Sequence, residues 1–166
     1  MLNTTFTFLL TWQVGLGTDV SGGFAPSILA VVQHASMASK VLAFQSDLEP
    51  QPVPPDSGSH SGFTNKQLSV ATLFYLATLG GAQVCDIDKE IGSLTLGKKF
   101  DALLVNLRSE TGNPHLWNDD IGRDSKETPE ELLAVWLERF LLCGDDRNIS
   151  RVYVQGRFIG GKSFQA

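Results

Sequence analysis

The chain is poor in the residues that usually announce a function. Its 166 residues include only three histidines and two cysteines. His34, His60 and His115 show no H-x-H, H-x-x-x-H or H-E-x-x-H spacing, so they read as surface residues rather than metal ligands. Cys85 and Cys143 stand alone, without C-x-x-C spacing. That argues against a disulfide framework and for a reducing, cytoplasmic setting, in which the sequons at Asn3 and Asn148 are chance matches. A net charge of −5 with no Lys/Arg cluster argues against a nucleic-acid surface. The apolar start, MLNTTFTFLLTWQ, carries no basic residue, and its longest apolar run is Phe8 to Leu10. No membrane span or signal core is expected there. Nucleotide fingerprints fail as well: Gly15 and Gly17 are followed by Val20 where G-x-G-x-x-G needs its third glycine, and no P-loop lysine follows. Ser21 lacks the G-x-S-x-G frame of a nucleophile elbow.

What is present is enough for one moderate core, at 42% apolar residues. Thr/Phe content at the start suits a strand leading into Val14 and Leu16. After Pro26, the positions Ile28, Leu29, Val32, Ala35, Val41 and Leu42 recur at helical spacing, which makes a βα unit. Residues 45–62, rich in Pro, Ser and Gly, predict a loop or insertion. A second helix is expected from a capping box at Thr64 and Gln67 to Gly80 and Gly81, with Leu68, Ala71, Phe74, Tyr75 and Thr78 along one side and Leu73 and Leu76 broadening it. IGSL and Ala102 to Leu107 read as strands, the latter well buried. The polar stretch 108–127 has Trp117 as its expected anchor. Thr128-Pro129-Glu130-Glu131 opens a helix that runs to Gly144. RVYVQGRFIGG reads as a hairpin turning at Gln155-Gly156, with Val152 and Val154 against Phe158.

Two acidic positions carry possible chemistry. In VGLGTDVSGG, residues 14–23, an apolar run ends in Asp19 among four glycines. A carboxylate at the carboxyl end of a strand is where α/β barrels place their active groups, yet Thr18 or Asp19 would also serve to cap the next helix. Asp145-Asp146 are paired catalytic carboxylates by type alone; after a helix closed by Gly144, they read instead as partners of loop backbone or of Arg147.

The order of segments adds a resemblance. VGLGTDVSGG, LATLGGAQ, EIGSLTLGKKFDALLVNL and FLLCGDDRNISRVYVQGRFI together resemble the C-terminal portion of the guanine deaminases, zinc-dependent members of the amidohydrolase superfamily. The resemblance covers nearly the whole chain from Val14, apart from the Pro-rich insertion. It implies an α/β fold: the terminal βα segment of a (β/α)8 barrel in residues 1–89, strands of a small β domain in 90–107 and 148–166, and a connecting loop and helix in 108–147. It also implies that Asp19 is a zinc ligand that assists proton transfer, that guanine is the substrate of the complete enzyme, and that the enzyme is a homodimer. The family's H-x-H pair, further histidines and catalytic glutamate have no counterpart here, and a full barrel needs about 250 residues. The chain is therefore expected to be a fragment, poor at binding zinc and inactive alone, with exposed apolar faces and low solubility. Two alternatives stand beside this: a non-catalytic interaction or assembly module, and an amidohydrolase acting on another amino-substituted heterocycle.

Overall fold

The computed structural model describes residues 13–48, 67–117 and 128–165. The expected strand over the first dozen residues, His60, Thr64 and most of the Pro-rich stretch lie outside them. Among the described residues, four α-helices, two single-turn 3-10 helices (Ser109–Thr111 and Asp146–Asn148) and one small sheet are formed, the α-helices and strands in the order α1 (Ile28–Leu48), α2 (Val70–Ala77), α3 (Leu79–Val84), β1 (Ala102–Val105), α4 (Pro129–Cys143), β2 (Ile149–Val154) and β3 (Arg157–Gly160).

The helices share one core. Val32 of α1, Leu73 of α2 and Leu141 of α4 are buried against one another, with Leu16, Leu29, Ala35, Leu68, Leu137 and Phe140 packed around them. The spacing Leu29, Val32, Ala35 is one apolar face of α1, as the sequence predicts. Along the second half of that helix Val41 and Leu42 are exposed with Met37 and Phe44, the uncovered apolar face expected of this helix. α1 also continues to Leu48, so residues 45–48 of the expected loop are helical.

Three further expectations around the second helix are corrected. α2 starts at Val70, with residues 67–69 outside the helix, and its cap is Ser69, whose hydroxyl accepts from the Thr72 amide at 3.1 Å. The buried side of α2 centres on Leu73, while Phe74 and Tyr75 are exposed, because α1 and α4 approach from the Leu73 side. Gly80 and Gly81 do not end the helix. Thr78 breaks it, its hydroxyl donating to the Phe74 carbonyl at 2.7 Å, and both glycines lie inside α3.

α4 forms as predicted. Thr128 Oγ1 accepts from the Glu131 amide, Glu131 Oε2 accepts from the Thr128 amide at 2.7 Å, and Pro129 fills the first turn. Glu131's carboxyl is held below the ordinary carboxylate range by the Thr128 amide and hydroxyl.

The sheet is antiparallel in the order β1-β2-β3. IGSL adds no strand to it; Ile91 to Ser93 form bends. β1 is not well buried either, since Leu103 and Leu104 are exposed, the sheet's contacts being chiefly among its own strands. The hairpin turns at Gln155 (φ +51°) and Gly156 (φ +76°), the left-handed pair that matches strand twist. Its register differs from expectation: Tyr153 opposes Phe158 and Val154 opposes Arg157, with an irregularity at Val152 that places it against Gly160. This brings Phe100, Tyr153, Phe158 and Phe164 into a row of ring contacts with centroids 5.4 to 5.7 Å apart. Nothing lies within 4 Å of a Cβ built at Gly156. Gly156→Ala is therefore expected to cost about 1 kcal/mol through backbone strain alone, read as a lowered melting midpoint.

Candidate functional site

Asp19 follows a segment that is extended without being a strand. Val14 and Leu16 were expected in a sheet; the described residues give them no strand partner, and Leu16 instead donates its amide to the Leu76 carbonyl at 3.2 Å. At Thr18 the chain reverses. Asp19 takes φ +46° and Ser21 φ +86°, both left-handed, and the Gly23 amide donates back to the Asp19 carbonyl. Aspartate tolerates that region better than most residues; serine at +86° is strained, a conformation that functional loops favour. A Cβ on Gly23 would sit 2.0 Å from the Thr18 carbonyl oxygen, so this corner of the turn requires glycine.

The capping alternative does not survive. α1 begins at Ile28, well beyond the turn, and neither Thr18 nor Asp19 reaches its first turn. The Asp19 carboxylate is exposed and lies over Gly22, where an added Cβ would approach Oδ2 to 3.0 Å. It is a charged group presented by a tight turn and not consumed by helix capping.

The other acidic pair has a structural use. Asp145 accepts from the Arg147 amide at 2.9 Å and takes the Arg147 guanidinium through Nε and Nη2, while Nη1 donates to the Gly112 carbonyl at 2.9 Å. The guanidinium hydrogen bond holds Asp145's carboxyl below the ordinary carboxylate range. A group so depressed stabilises the fold above its unfolded value of 3.8, and that contribution is lost as pH falls through the lower folded value. Asp145→Asn is thus expected to flatten the fall in urea midpoint between about pH 5 and pH 2, with Glu131 unchanged in both proteins. Asp146 is exposed beside it. With α1 residues Ser27, Leu29, Ala30 and Gln33, this loop lines an open groove of about 330 Å³. Gln33 Nε2 donates to the Gly144 carbonyl at 3.0 Å across the groove's floor.

Sequence reading missed the residue beneath this loop. Asn148 is fully buried and bonds on both ends of its amide: Oδ1 accepts from Asn113 Nδ2 at 2.7 Å and the Asp145 amide at 3.0 Å, and Nδ2 donates to the Asn106 carbonyl at 2.9 Å and Thr111 Oγ1 at 3.2 Å. Its signal was the D-x-x-N spacing of Asp145 and Asn148, a cap for a one-turn helix. Asn113 and Leu116, both buried, anchor the polar stretch; Trp117, the expected anchor, is exposed.

Histidines do not join Asp19 among the described residues. His34 is exposed on α1 with its ring 4.8 Å from that of Phe24, and His115 is exposed in the loop before Leu116. No group of three or more His, Cys, Asp or Glu side chains converges among the described residues. A catalytic zinc takes three protein ligands, so these residues fit as one corner of such a site and do not complete it.

Comparisons with known proteins bear on what that corner belongs to. The amidohydrolase family profile matches residues 11–159. A probable guanine deaminase of Schizosaccharomyces pombe is 38% identical over 154 residues, covering 93% of this chain and 24% of that protein. The guanine deaminase of Mus musculus is 39% identical over 145 residues, 87% of this chain and 27% of the mouse protein. Among solved structures, E. coli guanine deaminase superposes with a TM-score of 0.55 at 28% identity, over 90% of this chain and 28% of that one. A guanine deaminase from C. acetobutylicum with guanine in its active site gives 0.56 at 30%, over 89% and 27%. The chain thus spans about a quarter of the length of the curated relatives it matches. This chain's helices and small antiparallel sheet are consistent with part of an α/β amidohydrolase fold. On the extent of the profile match, the chain belongs to the amidohydrolase family.

Proposed function

We propose that this chain carries the Asp19 corner of a zinc-dependent guanine deaminase. The reaction of the complete enzyme replaces the exocyclic amino group of guanine by oxygen from water: the ring carbon–nitrogen bond breaks, a carbon–oxygen bond forms, and ammonia leaves with xanthine as product. Zinc, when bound, supplies a water acidic enough to be hydroxide near neutral pH. Asp19 contributes one oxygen donor and takes the proton that the attacking water gives up. The remaining donors and the glutamate acid belong to the part of the relatives that this chain does not span. Residues up to 89 serve as the closing βα segment of the barrel, and the three strands as part of its β domain.

The observation that carries the reading is the state of Asp19: exposed, in a left-handed turn, free of any capping role. Support also comes from the relatives' names and from the solved relative that holds guanine. The isolated cysteines support a cytoplasmic location and the family resemblance a homodimer. Among the described residues, no helix is long and apolar enough to cross a membrane.

The test is a graft. This chain replaces the matching portion of the E. coli enzyme, and the chimera is assayed for xanthine with zinc present. Guanine turnover by the chimera and none by the 166-residue chain alone is the expected result. Turnover by the chain alone overturns the shared-site reading. A chimera that folds, binds zinc and prefers another amino-substituted heterocycle in a substrate panel keeps the chemistry and changes the substrate.

A further inference from the structure

We infer that Gly15 is the positioning residue for the Asp19 carboxylate, acting through a backbone seam with Gly81. The inference rests on Asp19 as the functional carboxylate, but its geometry stands apart from zinc or guanine. Without a strand ladder, something else must fix the segment that carries the turn. Three contacts do so. Leu16 packs on the core of Val32, Leu73 and Leu141. Its amide donates to the Leu76 carbonyl at 3.2 Å. Between them, Gly15 lies so close to α3 that a Cβ there would meet Gly81 Cα at 2.9 Å and Gly81 N at 3.3 Å.

Both partners in that seam are main chain, so neither yields by turning a rotamer. Nor is α3 free to withdraw. Ala82 is buried. Gly80 sits between the Tyr75 ring and the Val14 carbonyl, with an added Cβ 3.0 and 3.2 Å from them. The ATLGGAQ glycines are therefore the floor on which residues 14–16 rest. Past Thr18, the closed turn with Gly23 moves as a unit, and any displacement at Gly15 reaches the Asp19 carboxylate. Gly17 has no such duty: nothing lies within 4 Å of a Cβ built there. Gly81 is also tolerant in its own right, since its Cβ would meet only the Leu76 carbonyl at 3.5 Å.

These asymmetries define the experiment, done by NMR on the full labelled chain. In the unsubstituted protein, the Leu16 amide is expected to exchange slowly, on the scale of the Ala82 amide in α3. In Gly15→Ala, Leu16 exchange is expected to accelerate at least about tenfold, with a shifted Asp19 carboxyl-carbon signal, while the Asn148 side-chain amide keeps its position. Gly17→Ala and Gly81→Ala leave both Leu16 and Asp19 as they were. An unmoved Asp19 signal in Gly15→Ala, or the same movement in Gly17→Ala, overturns the inference. Where Gly15→Ala does not fold, exchange in the unsubstituted chain decides: a protected Leu16 amide upholds the seam and an unprotected one removes it. A failed deamination test leaves these readings untouched, and their failure leaves the graft unaffected.

Discussion

Replacing Asn148 by alanine is expected to lower the unfolding free energy by about 3 kcal/mol, the sum of two orphaned backbone groups at 1–3 kcal/mol each less partial rehydration. Two of its four partners keep a second hydrogen bond and two do not. Asn113 Nδ2 keeps its bond to the Cys143 carbonyl at 3.0 Å, and Thr111 Oγ1 keeps its donation to the Arg108 carbonyl at 2.8 Å. The Asp145 amide and Asn106 carbonyl have only Asn148 as their side-chain partner. Those two groups belong to opposite sides of one junction: the end of α4 on one hand, the exit from β1 on the other. The Asn148 main chain spans the same gap, accepting from the Asn106 amide at 2.8 Å. Asn148→Asp tests the explanation, because an ionised carboxylate accepts where the Asn106 carbonyl and Thr111 need a donor. It is expected to be at least as damaging despite equal size. Equilibrium urea unfolding of both variants measures this; losses under about 1 kcal/mol would mean that water replaces the network.

The junction also shows what sequence could reveal of this fold. α4 was legible from Thr128, Pro129 and Glu131 because its start is set by contacts within four residues. The same holds for the turn at Gln155-Gly156 and for the pairing of Asp145 with Arg147. Errors came where distant packing decides. Gly80 and Gly81 carry a terminator's composition, yet both lie inside α3; at Gly80 a Cβ would press on the Tyr75 ring and the Val14 carbonyl, contacts made by residues distant in sequence. Trp117 is larger than Leu116, but burial went to the residue beside Asn113. The strand at Val14 and Leu16 has an apolar pattern without a strand beside it among the described residues, so its amide turns to α2. At the site, the glycines announced a tight turn, and the turn is there. They did not reveal that Asp19 itself adopts the left-handed conformation, which its short side chain permits.

Asp19→Ala in the graft is expected to reduce guanine turnover at least about 100-fold, since loss of mere outer partners of metal ligands costs 10–100-fold and a direct donor costs no less. Asp19→Asn sharpens the test. It keeps the size and an oxygen, and asparagine suits the left-handed backbone, so the turn is preserved while the charge and the proton acceptor are lost. If Asp19 only shaped the turn, Asn would retain activity and Ala would lose it. If the carboxylate binds the ion and takes the proton, both fall together, and zinc content per chimera falls with them. The Asp19 carboxylate is exposed at a tight left-handed turn and takes no part in capping α1, which leaves its oxygens open to an ion. Turnover within tenfold of the parent graft in Asp19→Ala, with zinc retained, would assign the charge to the surface and leave the deamination chemistry to residues outside this chain.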